Sequence, residues 1–311
     1  MGNLINTLSV QTGLSPSDVR LILRTAPRRY KVYTIPKKTG GERVIAQPAR
    51  EVKLLQRALM SALLEKLPVH ENAKAYKMGT SLLGNAQPHS GQSPILKMDF
   101  ADFFPSIHGI DWLRYCAQSA ILDREDSIFS ANLLFRLAKH ERTLKLSIGS
   151  PSSPLISNIL MYGFDEIILR EATKRKISYT RYADDLTFSG QRVGMLKDMP
   201  SIVEKAIREA KGPRLSINKS KTTYVTSRFQ RRVTGLVLAN DGTVGIGRDK
   251  KRLIRSKVHR AINGKLDVKQ ASELAGYLAY VNSVDPELIL SLESTYGIKI
   301  FGELIPKLLS K

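Results

Sequence analysis

Tyr182-Ala183-Asp184-Asp185 is flanked by Ile177-Ser178-Tyr179-Thr180-Arg181 on one side and by Leu186-Thr187-Phe188-Ser189-Gly190 on the other. Both flanks alternate roughly between apolar and polar residues. That is the period of a half-buried strand, so the residues between them read as the tip of a tight hairpin. Adjacent carboxylates at such a tip repel each other. A solvated turn is one setting that tolerates the pair; the other is a divalent cation, since Mg²⁺ is held by one or two carboxylates together with substrate phosphates. A third acid on a neighbouring strand decides between them. Asp99 is the candidate, because it ends the apolar run Ile95-Leu96-Lys97-Met98 that follows Pro94. Asp102 lies close by and reads as a helix-start residue facing solvent or a backbone N–H.

Working outward toward the start, Ser15-Pro16-Ser17-Asp18 has the form of a helix N-terminus, with Ser as the cap and Pro in the first turn. Tyr30 to Ile35 and Arg43 to Ala46 read as two strands joined by the turn Lys37-Lys38-Thr39-Gly40-Gly41, a basic hairpin. An amphipathic helix follows, with Val52, Leu55, Leu59, Ala62 and Leu63 on one face and a stop at Pro68. Residues 73–91 read as loop and include Asn85-Ala86-Gln87-Pro88-His89; two helical segments fill 106–140. Gly149-Ser150-Pro151-Ser152-Ser153-Pro154 opens one long helix whose apolar face runs from Leu155 to Ile168.

Beyond the acidic hairpin, residues 195–211 read as a surface helix. Leu215–Asn218, Thr222–Thr226, Val233–Leu238 and Thr243–Ile246 read as strands. The composition then shifts. Arg248, Lys250, Lys251, Arg252, Arg255, Lys257, Arg260 and Lys265 stand against the single acid Asp249, and the helical remainder is ordinary. The expected division is 1–27 as an N-terminal helical extension, 28–235 as the main body, and 236–311 as a helical domain.

Across 311 residues, 49 Lys and Arg oppose 28 Asp and Glu, a net charge of +21. With the basic residues scattered through a globular pattern, this points to nucleic acid as the polyanionic partner and away from a membrane surface. One cysteine, Cys116, excludes an internal disulfide and a cysteine-based zinc site, and the five histidines lack ligand spacing. No apolar run approaches the roughly 18 residues of a membrane helix. The start lacks a signal-peptide pattern, and Asn6 stands where a myristoylation motif needs Ser or Thr. A reducing cytoplasm is the expected setting.

A strand ending in Asp with an aromatic five residues on (Asp99 and Phe104), a Gly-Ser-Pro-Ser-Ser-Pro loop opening a helix, and Tyr-Ala-Asp-Asp occur in that order. Together they resemble a reverse transcriptase. Asn85-Ala86 with His89, and Val233-Thr234-Gly235, narrow the resemblance to the bacterial retron reverse transcriptases. It runs from about residue 28 to 265. It implies an α+β right-hand polymerase fold: fingers around 28–95 and 106–170, a palm of antiparallel sheet packed on helices around 94–105 and 171–235, and a small helical thumb.

The resemblance further implies that Asp99, Asp184 and Asp185 bind two Mg²⁺ ions, and that Phe104 is a steric gate against a 2′-hydroxyl while Phe103 is a core aromatic. Arg43 resembles the residue that grips the triphosphate, with Lys74 a second candidate; a solvated surface charge is the alternative for both. Tyr182 joins the substrate-binding set. Lys221 resembles the lysine that protonates pyrophosphate, and Lys219 is its rival. Gly149 and Ser150 resemble the loop beneath the incoming base, but Ile148 stands where the commonest family form has Gln, so an apolar contact replaces a hydrogen bond.

Asn85 and His89 resemble elements that hold structured RNA, a buried His89 being the alternative. Arg248, Lys250, Lys251, Arg252, Arg255 and Lys257 fit a thumb helix along a nucleic-acid backbone. The implied activity is RNA-directed DNA synthesis from dNTPs on a cognate noncoding RNA. Priming from an internal guanosine 2′-hydroxyl would give a branched RNA–DNA product. The implied setting is antiphage defence with a separate effector protein, and with a host RNase H removing template. A group II intron-type enzyme, a diversity-generating enzyme and an RNA-binding scaffold restraining a toxin are the other readings.

Overall fold

A computed structural model describes residues 4–37 and 40–309. Lys38 and Thr39 of the expected hairpin turn, and the Met1-Gly2 start, lie outside the described residues. The chain packs as two compact units, Met1–Thr80 with Leu96–Tyr224 and Ser81–Ile95 with Val225–Lys311.

The elements follow in chain order. Helices α1 (Leu4–Thr12) and α2 (Pro16–Thr25) lead to strands β1 (Tyr30–Pro36) and β2 (Glu42–Pro48), then to α3 (Arg50–Ala62). Helix α4 (Leu82–Ala86) belongs to the second unit, and β3 (Ile95–Asp99) begins at the junction. The first unit continues with α5 (Gly109–Ser119), α6 (Arg124–Leu134), α7 (Ser153–Leu160), α8 (Tyr162–Lys174), β4 (Ser178–Tyr182), β5 (Asp185–Ser189) and α9 (Met199–Glu209). After β6 (Thr223–Val225) the second unit holds β7 (Arg231–Val233), β8 (Leu236–Leu238), β9 (Val244–Gly245), α10 (Arg248–Ile262), α11 (Val268–Val284), α12 (Pro286–Tyr296) and α13 (Ile305–Leu309).

In the first unit a four-stranded sheet of order β4-β5-β3-β6 packs on helices, an α+β arrangement. Helix α2 starts as its sequence dictates: the Ser15 side chain accepts from the Asp18 N–H at 3.1 Å, which satisfies one of the unpaired N–H groups of the first turn. Its Val19, Ile22 and Leu23 are buried in one core with Leu8 of α1 and Val52, Leu55 and Leu59 of α3. The extension expected at 1–27 therefore shares the core of the first unit. β1 and β2 form a separate two-stranded ribbon in the register Tyr30↔Pro48 to Pro36↔Glu42.

The second unit is a three-stranded sheet, order β7-β8-β9, with the helices that follow, around Val233, Leu236, Leu274, Leu278 and Val281.

Four local expectations change. The stretch 73–91 is not all loop: Ser81 caps α4 by accepting from the Gly84 N–H at 2.9 Å, and one 3₁₀ turn, Gln87–His89, follows. The single long helix after Pro154 is two helices, α7 and α8, broken at Met161. There the Leu160 carbonyl faces Gly212, where a Cβ would stand 2.8 Å from that oxygen. Leu215–Asn218 forms no regular strand; only Ile217 bridges Phe100. Val233–Leu238 is not one strand but a hairpin. Thr234 (φ 46) and Gly235 (φ 83) are both left-handed, the signature of a two-residue type I′ turn. By packing, this hairpin groups with the residues after Val225.

Candidate active site

The acidic hairpin pairs Ser178↔Ser189 through Tyr182↔Asp185, leaving Ala183 and Asp184 as a two-residue turn. Ala183 is left-handed, at φ 57, which an L-residue with a Cβ adopts only at a cost. The turn is held by a group that sequence reasoning took for an ordinary strand residue. The Arg181 guanidinium, fully buried, donates Nη1–H to the Ala183 carbonyl at 3.1 Å and to Asn158 Oδ1 at 3.0 Å. Its other edge grips the buried Asp165 carboxylate with two bonds, Nε to Oδ1 at 2.8 Å and Nη2 to Oδ2 at 2.6 Å. The Tyr179 hydroxyl donates to Asp165 Oδ1 at 2.7 Å. Every strong donor of the buried cation that is named here meets an acceptor, and the two charges offset each other, which is the condition for keeping them from water. The one sequence signal for this network is an Arg at an inward position of a buried arm, with an Asp on the preceding helix.

Asp99 is joined to this corner through the main chain. The Phe100 N–H donates to the Asp184 carbonyl at 3.2 Å, and the Asn218 N–H donates to the Asp99 carbonyl at 2.8 Å. The Asp99 side chain is buried, and Lys221 Nζ donates to both its oxygens at 3.1 Å. Of the two lysines left open, Lys221 reaches the acids; Lys219 is exposed.

Burial raises the Asp184 carboxyl above the usual range, the Asp99 charge adds to this, and Lys221 and Arg43 oppose it. Burial and then the Asp184 charge push Asp185 up to about 6, against Lys97. Carboxylates raised by burial and by neighbouring negative charge, as Asp184 and Asp185 are, offer the hard oxygens suited to a divalent cation. Among the described residues no three His, Cys, Asp or Glu side chains converge to cage an ion. In donor chemistry alone, the carboxylate oxygens of Asp99, Asp184 and Asp185 match the metal that the resemblance implies.

The remaining candidates divide. Arg43, on β2, is exposed and close enough for its charge to act on Asp184. Lys74 is half-buried, and its N–H donates to the Arg181 carbonyl at 2.7 Å. Phe103 is buried and stacks on Phe100, while Phe104 meets Phe103 edge-on at 5.3 Å and stays half-exposed. Tyr182 is half-buried at the end of β4. Gly149 (φ 120) lies against β2, where a Cβ would stand 3.0 Å from the Ala46 carbonyl, and the Ile148 carbonyl accepts from the Ala46 N–H at 2.8 Å. Ser150 is buried with its hydroxyl 2.8 Å from that of Ser147, so its oxygen is not turned to an open surface.

In the second unit, Asn85 and His89 are buried and present no face to RNA. Asn85 Nδ2 approaches Thr234 Oγ1 at 3.4 Å, and burial alone pushes His89 down to about 4, a neutral imidazole. On α10, Arg248, Arg252 and Arg255 are exposed. Lys250 is half-buried. Lys251 pairs with Asp285 at 2.7 Å, and Lys257 pairs with Glu273 at 3.7 Å over the Tyr277 ring. The basic stripe is thus part free charge and part internal strut. No helix among the described residues is long and apolar enough to cross a membrane.

A family model described as reverse transcriptase (RNA-dependent DNA polymerase) matches residues 35–256. The chain is similar to the retron Ec83 reverse transcriptase of Escherichia coli, 36% identical over 300 residues that cover 94% of this chain and 95% of that protein. It is also similar to the retron Ec86 reverse transcriptase of Escherichia coli, 33% identical over 313 residues, 95% of this chain and 91% of that one. Among solved structures, telomerase from Candida albicans with a fragment of telomeric RNA aligns at TM-score 0.49 and 13% identity, covering 94% of this chain and 67% of that one.

Proposed function

The chain belongs to the reverse transcriptase family, among the retron reverse transcriptases, and from that premise we propose how this RNA-directed DNA polymerase does its chemistry and on what. Asp99, Asp184 and Asp185 would hold two Mg²⁺ ions, which when bound supply a lowered pKa for the attacking hydroxyl and charge neutralisation on the leaving group. The primer hydroxyl oxygen forms the new ester bond to the α-phosphorus of a dNTP as the bond to pyrophosphate breaks. Lys221 gives a proton to the departing pyrophosphate, leaving Asp99 to do so. Arg43 takes the triphosphate, with Lys74 beside it. Gly149 and Ser150 shape the floor under the base, Ile148 offering it an apolar contact, and Tyr182 closes the substrate side of the turn.

Phe104 excludes the 2′-hydroxyl, anchored by the ladder Phe164–Phe100–Phe103 behind it. Phe104→Ala is expected to raise rNTP incorporation relative to dNTP by about tenfold or more, the scale of discrimination by shape. Unchanged sugar selectivity would remove the gate.

In this reading residues 28–235 act as fingers and palm, 236–311 as thumb, and 1–27 as an extension packed on the fingers. Arg248, Arg252 and Arg255 contact nucleic-acid phosphates, with Lys250, Lys251 and Lys257 steadying the helix. Asn85 serves RNA through the shape of the Val-Thr-Gly hairpin, whose Thr234 it meets, and His89 through the turn that follows α4. The template is a cognate structured noncoding RNA, primed from an internal guanosine 2′-hydroxyl to give a branched RNA–DNA. The setting is the bacterial cytoplasm and antiphage defence, with a separate effector and a host RNase H.

The observation that carries the chemistry is the main-chain bond from Phe100 to Asp184 beside the Lys221–Asp99 pair. It ties the strand that ends in Asp99 to the Asp184 turn through the main chain, which supports the reading. The test is synthesis on RNA that copurifies with the protein. The expected product is DNA joined to RNA through a 2′–5′ linkage that debranching enzyme releases. DNA made only from an ordinary 3′ end would leave the polymerase standing and remove the branched priming.

A further inference from the structure

We propose that Tyr76 is a wall of the nucleotide site, its ring laid against the incoming deoxynucleoside triphosphate. This rests on the polymerase reading above and adds a residue to it. The residues just before Tyr76 are tied to the acidic hairpin through the main chain. The Arg181 N–H donates to the Asn72 carbonyl at 2.8 Å, the Lys74 N–H donates to the Arg181 carbonyl at 2.7 Å, and Ala73 bridges Arg181 in parallel. Asn158, itself bonded to the Arg181 guanidinium, donates Nδ2–H to the Ala75 carbonyl at 2.8 Å. One buried network therefore fixes both the Ala183 carbonyl and the peptide before Tyr76.

Tyr76 itself is left-handed at φ 58, a conformation disfavoured for a bulky residue and kept where the surroundings impose it. Tyr76 is nonetheless only partly buried, at 51% exposure. Burial raises its phenol pKa, the Asp184 charge raises it further, and Arg43 lowers it. An exposed aromatic ring on a backbone tied to the acidic hairpin suits a base and sugar better than solvent. Lys74, the loop residue named for the site from sequence, contributes its backbone N–H to the Arg181 carbonyl, and Tyr76 follows two residues on.

The experiment is single-nucleotide incorporation by the full-length protein on a fixed primer–template, comparing wild type, Tyr76→Phe and Tyr76→Ala. Removing the ring is expected to raise the KM for dNTP about tenfold while primer–template Kd changes less than about twofold, the scale of one lost stacking contact. Tyr76→Phe keeps the ring and is expected to stay within about twofold of wild type. Thermal unfolding checks the fold. If Tyr76→Ala unfolds early, Tyr76→Leu keeps the bulk without the π face and is read for the same split. An unchanged KM in the ring-less variant, or a loss seen equally in primer–template binding, overturns the assignment. Absence of dNTP incorporation by wild type would instead sink the polymerase reading.

Discussion

The turns at Ala183-Asp184 and at Thr234-Gly235 both join antiparallel strands through two residues, and both begin with a left-handed non-glycine, φ 57 and φ 46. They are held by opposite means. Ala183 is pinned by a buried cation that also spans Asp165 and Asn158, beneath carboxylates that repel one another. Thr234 meets the neutral Asn85, and its flanking Val233 and Leu236 are fully buried in an apolar core. A turn that must carry charge at its tip is braced by charge in the interior. A turn that carries none is held by packing and by one polar contact.

The largest expected effect follows from that difference. Arg181→Ala should destabilise the first unit by roughly 3–5 kcal/mol, since it strands the Asp165 carboxylate in the interior. Denaturant unfolding measures it. A loss under about 1 kcal/mol would show that the acidic turn is held as the neutral one is. Arg181→Lys should recover little, because an ammonium cannot make the two-bond grip.

The second unit is sensitive to acid instead. Its buried His89 has a pKa of about 4 against an ordinary 6.5, so below 6.5 the unfolded chain binds a proton that the folded chain refuses until about 4. Stability present above pH 6.5 is then lost as pH falls toward 4, by up to roughly 3 kcal/mol. Hydrogen exchange of second-unit amides across that window reads it, and His89→Gln should flatten the slope. An equal slope in that variant would assign the acid sensitivity elsewhere.

The smallest effect separates the two kinds of charge on α10. Arg252→Gln with Arg255→Gln should lower the salt dependence of RNA binding by roughly 0.7–0.9 per lost phosphate contact, with stability unchanged. Lys251→Gln, which breaks the bond to Asp285, should lower stability and leave the salt slope nearly as it was. Identical behaviour of the two variants would mean that α10 is a uniform charged face.

These contrasts mark what was legible in the chain. The hairpin around Tyr182-Ala183-Asp184-Asp185 and the Ser15 cap depend on near neighbours, so local pattern reveals them; the core Phe103 beside a half-exposed Phe104 came only with the family resemblance. Lys221 could be named but not chosen over Lys219, because its partner Asp99 lies 122 positions away. Arg181 passed for a strand residue because its meaning lies in Asp165 and Asn158, on helices whose facing sides sequence does not print. Val233–Leu238 looked like one strand since its apolar run hides a turn whose first residue, a β-branched Thr, is a poor turn former by propensity. His89 was matched by motif, and only burial shows that it lies inside.

The central claim is that Asp99 and the Asp184-Asp185 turn form one catalytic corner. The most direct measurement is dNTP incorporation by Asp184→Asn/Asp185→Asn on a bound RNA, beside RNA affinity and thermal unfolding of the same protein. The account predicts a loss of synthesis of about a thousandfold or more, with RNA affinity and fold retained. Synthesis at near wild-type rate in that double variant would contradict it.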